Sequence, residues 1–238
     1  MAPDLEQYRT LVEGVVSGLG LRLSERQIEQ LATHFALLVH WNRKINLTGL
    51  RRPEDIAVRH FEESLFLVKL LAQVGTCLQA CPERSRRACA PSNAPELAGL
   101  LVDVGSGAGF PGLPIKIACP AISAVLLEPT LKKVAFLKEV IRQCGLEGIE
   151  ARAERLEQAA HGDLAGRATL VTLRAVALTP ELLADLKRLL APDGRLALFL
   201  GEKDALALAA SPEMQWESPA PIPHSERRVI LMGRIRNE

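Results

Sequence analysis

One stretch of the sequence, residues 100–117, constrains the fold of this chain more than any other. A mostly apolar, strand-like segment at 100–104 runs directly into a turn with four glycines, and a helical segment follows. Glycine allows positive φ and lets a ligand come close to the backbone, while the N–H groups at the start of a helix point toward a polar group bound there. This order of strand, glycine-rich turn and helix predicts the first βα unit of a nucleoside-binding α/β domain.

The glycine spacing permits two cofactors, and the first is a dinucleotide. Gly107, Gly109 and Gly112 match the dinucleotide fingerprint, in which the start of the helix holds a pyrophosphate. Phe110 and Pro111 fit poorly into the close helix packing of such a site. The chain also has a single tyrosine and no Tyr-x-x-x-Lys pair for hydride transfer. A purely structural glycine turn is a third interpretation.

The second cofactor is S-adenosylmethionine (SAM), and it is the favoured one. The run Asp103-x-Gly105-x-Gly107-x-Gly109 resembles the glycine-rich loop of class I methyltransferases, in which Asp103 and the loop carbonyls would attract the ammonium group of SAM. Glu128 follows about 20 residues later, after the next predicted strand, where an acid binds ribose hydroxyls. The residues predicted to bind the cofactor here are Asp103, Gly105, Ser106, Gly107, Gly109 and Glu128.

Composition narrows the class of protein. A chain of 238 residues is long enough for one α/β domain and a modest appendage, and a net charge of +1 confines any nucleic-acid surface to a local patch. No apolar run approaches the ~18 residues of a membrane span, and the first residues lack a signal-peptide pattern, so a cytoplasmic protein is expected. The five cysteines are odd in number, and those that cluster have no histidine nearby, so neither a disulfide framework nor a metal site is predicted.

The chain divides into three parts. Residues 1–74 have helical periodicity, including a capping box at Ser24 and Gln27, and predict an all-helical cap. Residues 75–98 are rich in Pro, Ser, Ala and Arg without a packing period, so we predict a flexible linker or insertion. Residues 99–238 are predicted to form the SAM-binding domain.

Strand-like and helix-like segments alternate from residue 100 onward, the pattern of a mostly parallel, doubly wound α/β sheet. A tight turn at 192–194 is predicted to lead into a strand at 195–200. A β-rich stretch at 228–235 predicts an antiparallel strand at the edge of the sheet. The expected fold is therefore the Rossmann-like fold of class I methyltransferases, with an N-terminal helical cap.

Further candidate residues follow the later strands, because ligands of open α/β sheets bind at the carboxyl ends of the strands. Arg155, Leu156 and Glu157 follow the third strand, where a backbone amide and a carboxylate could meet an adenine. Arg174 directly follows four apolar residues. This position favours a ligand or substrate role for Arg174 over a structural salt bridge.

The helical cap carries groups suited to RNA. Residues 41–48 combine an aromatic ring with basic and amide groups, although cations that compensate a helix dipole explain them equally well. His60 fits either a substrate contact or a buried core position. Lys132 starts a helix, where the dipole disfavours a cation, so it indicates an RNA phosphate about as well as a solvated surface. The predicted substrate-binding residues are Asn46, Arg59, His60, Lys132, Arg155 and Arg174.

The class of methyl acceptor is inferred from the motifs that the sequence lacks. The sequence has no Asn-Pro-Pro-Tyr stretch to hold an exocyclic amine and no Pro-Cys pair to attack C6 of a pyrimidine. An acceptor with a free lone pair and no proton to lose needs no general base, and guanine N7 is such an atom.

Several motifs in the same order carry a family resemblance across nearly the whole chain except 75–98. Trp41-Asn42-x-x-x-Asn46-Leu47-Thr48, Arg59-His60-x-x-x-Ser64 and the glycine run from Asp103 to Pro114 are similar to the bacterial small-subunit rRNA guanine-N7 methyltransferases, the glucose-inhibited division protein B family. The resemblance implies SAM as donor, N7 of one guanine in 16S rRNA as acceptor, and a ribosomal small subunit or assembly intermediate as the substrate. It also implies that the N-terminal helices face RNA, and that the residues lining the SAM site include Gly105, Phe110, Leu156, Glu157 and Arg174.

Two positions depart from the family pattern. Glu63 stands where the family often has Asp, and Leu200-Gly201 stands where it commonly has Lys-Gly, so Lys203 is a possible substitute for that lysine. The rival hypotheses are a SAM methyltransferase acting on another rRNA base or on a protein, and a non-catalytic assembly factor that retains the fold.

Overall fold

The computed structural model describes residues 5–73, 97–174 and 178–236 of the chain. Helices make up the N-terminal part, and Ser24 and Gln27 form the predicted capping box. The helix predicted to start at Pro53 contains a π-helical segment that the sequence pattern did not indicate. The elements of this cap are α1 (Leu5–Leu19), α2 (Glu25–Trp41), α3 (Pro53–Ile56), the π-helical segment (Ala57–Glu62) and α4 (Glu63–Gln73).

A mixed sheet follows, and its first five strands run parallel in the order β3-β2-β1-β4-β5. The strands are β1 (Leu100–Val104), β2 (Ser123–Leu127), β3 (Ile149–Arg152), β4 (Ala168–Arg174), β5 (Leu190–Gly201), β6 (Gln215–Trp216), β7 (Ala220–Pro221) and β8 (Arg228–Arg234). The intervening helices are α5 (Gly112–Ala118), α6 (Leu131–Gln143), α7 (Leu156–Ala160), α8 (Pro180–Leu189) and α9 (Glu202–Ala209). Strand β8 runs antiparallel to β5, so the predicted mostly parallel sheet with an antiparallel C-terminal strand is confirmed.

Two details of the C-terminal region differ from the sequence prediction. Residues 192–194 are part of β5 instead of a turn before it, because the β4–β5 pairing jumps from Ala168–Leu190 to Leu170–Arg195 and the extra residues bulge. Strand β8 is also not the outermost strand, since β6 and β7 both pair with it. Short strands of two residues are invisible to a periodicity argument.

The predicted linker falls mainly outside the described residues. Its last part is different: Leu97 is fully buried in the core and leads directly into β1. The boundary of the folded domain therefore lies before residue 97, because an apolar side chain there completes the core. The three clustered cysteines lie outside the described ranges, while Cys119 and Cys144 are buried free thiols.

The helical cap and one face of the sheet share a single hydrophobic core, and α7 and α8 cover the other face with a second one. Two glutamines of α2 reinforce this docking. The Gln27 amide donates to the carbonyls of Ile117 (2.8 Å) and Ala118 (3.1 Å) at the end of α5, and the Gln30 amide donates to Cys144 O (2.8 Å) after α6. Carbonyls at helix ends lack partners within the helix, so these side chains satisfy them and fix the cap above the sheet.

Candidate functional site

The site lies at the carboxyl edge of the parallel strands, and it has two halves. The β1–β3 half contains the glycine loop, residues 105–111, and the ends of β2 and β3. The β4–β5 half contains the end of β4 and the part of the cap that packs against it, residues 42–63. The two halves meet between the neighbouring strands β1 and β4.

Asp103 is the internal anchor of the glycine loop. It is fully buried, and burial raises the pKa of its carboxyl to about 6 against the opposing effect of its hydrogen bonds. This carboxylate therefore holds the loop in shape and presents no surface to a ligand, which differs from the predicted direct attraction of an ammonium group. Ser106 is also buried, and its hydroxyl donates to Asp103 within the loop. The three donors to Asp103 are the Ser106 hydroxyl (2.5 Å), the Thr172 hydroxyl (2.7 Å) and the Gly112 N–H (3.1 Å).

The start of α5 has no place for a pyrophosphate. The Gly112 N–H is already bonded to Asp103, and residues 108–119 are all buried. Gly109 and Gly112 serve close packing, since a Cβ at Gly109 would lie 2.2 Å from Leu113 Cδ1 and one at Gly112 would lie 2.7 Å from Asp103 Oδ2. The structure therefore argues against the dinucleotide interpretation of the glycine spacing.

The rim of the β1–β3 half consists of the exposed Gly105, the half-buried Gly107 and the buried Glu128. Gly105 is exposed with φ +68°, a conformation that glycine adopts without strain. One carboxylate oxygen of Glu128 accepts the Gly107 N–H (3.0 Å), and the other accepts the Thr130 N–H (2.9 Å). A carboxylate has about four acceptor positions, so Glu128 retains capacity for two hydroxyl donors.

The residues predicted after β3 surround the start of α7. Leu156 is buried as its first residue, whereas Arg155 and Glu157 are exposed on either side. The Arg155 N–H donates to Gln158 Oε1 (3.1 Å), which fixes the turn into the helix. An apolar side chain flanked by a carboxylate and a cation thus lies at the end of the β1–β3 half.

Phe110 faces the cap, although the family resemblance implies a place in the SAM site. Its ring is buried between two histidine rings, with centroid distances of 4.7 Å to His34 and 4.7 Å to His60. Phe61 adds an edge-on contact at 5.0 Å. Phe110 therefore joins the glycine loop to α2 and to the π-helical segment, and any contribution to a bound cofactor acts through the loop.

His34 was missed by the sequence analysis, because a single histidine on an apolar helix face carries no distinguishing pattern. It is fully buried, and its Nε2–H donates to Ala108 O (2.9 Å) in the glycine loop. Burial lowers the pKa of His34 to about 4, so the ring is neutral at pH 7. A neutral ring can stack against Phe110 without burying a charge.

Arg174 ends β4 and is held by the cap. Its Nη2 donates to Arg59 O (2.6 Å) and to His60 Nδ1 (3.0 Å), and lies 3.2 Å from Glu63 Oε2. The other terminal nitrogen, Nη1, is buried and has no hydrogen-bond partner within the described parts of the chain. Burial lowers the pKa of Arg174 to about 10, so the guanidinium remains charged at pH 7. Arg174 thus makes a structural salt bridge, and its ligand or substrate role stays a prediction.

Glu63 and Arg228 complete this charged cluster. Glu63 is 1% exposed, and its Oε1 accepts from Arg228 Nη1 at 2.7 Å. Burial raises the pKa of the Glu63 carboxyl, while Arg174 and then Arg228 act in the opposite direction. A nearly inaccessible carboxylate therefore bridges the ends of two strands, β4 and β8.

His60 connects Arg174 to the loop before α3. Since arginine can only donate, His60 Nδ1 accepts, and Nε2 carries the proton that is donated to Thr48 Oγ1 (2.8 Å). Burial, followed by the charge of Arg174, lowers the pKa of His60 to about 3. Asn42 shapes the same loop, because its side chain accepts from Leu47 N (2.9 Å) and Thr48 N (3.0 Å). His60 is thus a neutral, structured residue of the β4–β5 half.

The other predicted RNA contacts lie on the surface. Asn46 borders a shallow hollow of about 340 Å³ lined by residues 46–49 and Arg51. Arg59, Lys132 and Arg155 have exposed side chains. The ring of Trp41 instead packs edge-on against Phe136 at 5.8 Å, so Trp41 is a core residue.

Leu200, at the position of the usual family lysine, packs into the apolar cluster around Leu208 and Trp216. Lys203 is exposed on α9, three residues further along the chain. Within the described residues, no group of three or more His, Cys, Asp and Glu side chains could hold a metal ion. None of the helices in the same ranges is long and apolar enough to span a membrane.

Comparison with known proteins identifies the family of this chain. Residues 91–220 match the family described as rRNA small subunit methyltransferase G (GidB). A protein named ribosomal RNA small subunit methyltransferase G from Cupriavidus necator is 33% identical, over 98% of this chain and 97% of that relative. One from Halorhodospira halophila is 34% identical over 86% of this chain and 84% of that relative.

A solved structure agrees on the fold alone. The YcgJ protein from Bacillus subtilis superimposes with a TM-score of 0.51 at 11% identity, covering 73% of this chain and all of that one. The sequence relatives confirm the resemblance that the motifs indicated. Since one relative aligns along nearly the whole chain and the family description matches more than half of it, the chain belongs to the rRNA small subunit methyltransferase G family.

Proposed function

We propose that this protein transfers a methyl group from SAM to N7 of a guanine in 16S rRNA, within the small ribosomal subunit or an assembly intermediate in the cytoplasm. The observation that carries this proposal is the division of the site. One half offers groups for a nucleoside cofactor, and the other presents a buried, charged Arg174 with a free donor beside an RNA-suited surface. The relatives named for small-subunit rRNA methylation support the substrate class.

The residues of the β1–β3 half fit SAM. Glu128 has acceptor capacity for two ribose hydroxyls, and Leu156 beside Glu157 suits an adenine. Gly105 lets the backbone approach the ligand, and the absence of a free donor at the start of α5 matches a cofactor without phosphate. Bound there, SAM supplies an electrophilic methyl group on a sulfonium centre.

The β4–β5 half would hold the acceptor. Among the described residues Arg174 Nη1 has no hydrogen-bond partner, and a buried guanidinium binds an electron-rich oxygen such as O6 of guanine more strongly than an exposed one. Methyl transfer is a displacement in line with the bond that breaks, so much of the rate comes from orientation of the acceptor. Arg174 supplies this orientation, and no residue is required as a base, because N7 carries no proton.

RNA would extend from this half across exposed polar groups of both halves. The proposed contacts are Asn46, Arg59, Lys132 and Arg155 at the surface, with His60 acting through Arg174 and Thr48. Cations at these positions neutralise phosphates without reading sequence, so they position the RNA while Arg174 meets the base.

The test is transfer of tritium from labelled SAM to small subunits purified from a strain that lacks the family enzyme, followed by digestion to nucleosides. We expect the label in 7-methylguanosine of 16S rRNA. Label in another nucleoside or in protein would show that guanine N7 is not the acceptor. Binding of SAM by calorimetry without any transfer would favour the non-catalytic assembly factor.

The pH dependence of the same reaction tests the absence of a base. The single-turnover rate at saturating SAM and subunit should vary less than about threefold from pH 6.5 to 9, because Arg174 stays charged and His60 stays neutral over this range. A tenfold rise per pH unit would show that a group must lose a proton, and would contradict N7 as the acceptor.

A further inference from the structure

All the groups that hold Arg174 come from one short stretch of the cap. Arg59 O, His60 Nδ1 and Glu63 Oε2 surround Nη2 at 2.6, 3.0 and 3.2 Å. Two of these residues belong to the π-helical segment, and Glu63 follows it directly. Such π-helical turns are rare and occur often at functional sites.

Within this set, Glu63 is the only carboxylate, and among the described residues it makes the only ion pair with Arg174 within 4 Å. It is 1% exposed and also binds Arg228 at 2.7 Å, so one carboxylate compensates two guanidinium groups. Among these three side chains one positive charge is therefore in excess, and within the described residues Arg174 Nη1 has no hydrogen-bond partner. A buried charge is retained only with a partner, so the position of Arg174 depends on Glu63.

We propose that Glu63 is a positioning residue for methyl transfer: through its ion pair it fixes Arg174 so that Nη1 stays directed to the acceptor. This inference rests on the proposed function, and it adds a role for a residue that touches neither the cofactor half nor the RNA surface. The carboxylate sets the geometry, and Arg174 makes the contact with the base.

The neighbouring residue provides a matched control. Glu62 is also a buried carboxylate at 5% exposure, and it lies at the end of the same π-helical segment. Its partner is His224, whose Nδ1 lies 3.0 Å from Glu62 Oε2. Substitution of Glu62 therefore perturbs the same helix and the same C-terminal region without removing the partner of Arg174.

The first experiment compares Glu63→Gln with Glu62→Gln. For Glu63→Gln we expect kcat on small subunits to fall about 10–100-fold, since a misplacement of about 1 Å can cost 100-fold, while the Kd for SAM changes less than threefold. Glu62→Gln should stay within threefold in both quantities. Equal losses of kcat in the two variants, or a parallel loss of SAM binding, would show a merely structural role and overturn the proposal.

A double-variant cycle and a rescue test the route through Arg174. In an Arg174→Lys background, Glu63→Gln should lower kcat by less than threefold further, because the contact it positions is already gone. Glu63→Asp, which keeps the charge, should recover at least tenfold of the activity lost in Glu63→Gln. Full additivity in the cycle would contradict the proposal.

A spectroscopic readout separates this inference from the proposed function. In ¹⁵N-labelled wild-type protein, the Nη protons of Arg174, assigned by their loss in Arg174→Lys, should be resolved because the guanidinium cannot rotate. In Glu63→Gln they should average into one signal, and in Glu62→Gln they should not. If wild-type protein fails to methylate small subunits, the proposed function is wrong. An unchanged Arg174 signal in Glu63→Gln would overturn the inference about Glu63, whatever the result of the methylation assay.

Discussion

The contacts that form the two halves of the site join residues at different separations along the chain. In the β1–β3 half, Asp103 binds Ser106 and Gly112, which are 3 and 9 residues away, and Glu128 binds Gly107 at a separation of 21. In the β4–β5 half, Arg174 binds His60 across 114 residues, and Arg228 binds Glu63 across 165. Apart from the Thr172 donor to Asp103 across 69 residues, the first half is therefore held mainly by contacts within a local motif, while the other exists only when the cap has docked on the sheet.

Replacement of Arg174 should have the largest effect and should separate the halves. For Arg174→Met we expect methyl transfer to fall about 100–1,000-fold, the cost of removing one fixed donor from a reacting centre, with SAM affinity within threefold. Single-turnover kinetics and calorimetry measure the two quantities. Arg142→Met, an exposed arginine near the end of α6, is the control. A large loss of SAM affinity in Arg174→Met would mean that the two halves do not act separately.

Gly112→Ala should break the β1–β3 half. The new Cβ would lie 2.5 Å from Leu126 Cδ2 and 2.7 Å from Asp103 Oδ2, so the loop or the strand must shift. We expect the free energy of unfolding to fall by about 2–3 kcal/mol in a denaturant titration, together with most of the SAM affinity. Gly14→Ala, in α1 with no atom within 4 Å of the new methyl, should raise it by about 0.5–1 kcal/mol. Equal stability of the two variants would contradict the close packing that assigns Gly112 its role.

The difference in sequence separation between contacting residues explains which parts of the site the sequence could predict. Strand β1, the glycine turn and Glu128 follow from residue types a short distance apart, and the structure places them together. The roles of Asp103 and Phe110 could not be foreseen, since both depend on which face the folded chain covers. His34 and Glu63 carry no local signal either. A buried ionisable residue in a helix becomes recognisable only when its distant partner is known.

The pH dependence of the unfolding free energy tests the contacts where the two halves meet. The pKa of His34 is lowered to about 4 and that of His60 to about 3, so between pH 6.5 and 4 the unfolded chain binds protons there that the folded chain does not. The contribution of these two histidines to stability should therefore fall on acidification. Asp103 acts in the opposite direction, because its pKa is raised to about 6 and its folded form takes up a proton first. Burial also raises the pKa of Glu63 and of Glu217, so these carboxyls oppose the histidines in the same way, and the histidine contribution has to be isolated with a single variant.

His34→Gln isolates one of these contributions. It should reduce the dependence of the unfolding free energy on pH between 6 and 4.5 by up to about 1.4 kcal/mol per pH unit, the value for one proton. His40→Gln, an exposed histidine of the same helix, is the matched control. Denaturant titrations at four pH values measure the slope. If both variants keep the wild-type slope, His34 does not resist protonation, and its stacking on Phe110 does not require a neutral ring.

The smallest expected effect tests whether docking of the cap serves the β4–β5 half alone. The Gln30 amide donates to Cys144 O at 2.8 Å, far from either half, so Gln30→Ala should cost about 1 kcal/mol of unfolding free energy. Glu29→Ala, an exposed neighbour on α2, should cost less than about 0.5 kcal/mol. The β4–β5 half takes all the groups around Arg174 Nη2 from the cap, whereas the glycine loop is held mainly by Asp103 and Glu128 and contacts the cap through His34 and Phe110. Hydrogen exchange in Gln30→Ala should therefore quicken at residues 57–63 more than at residues 103–109. Equal acceleration would show that Phe110 and the histidines beside it bind the two halves into one cooperative unit, and that the local motif is no more autonomous than the site assembled around Arg174.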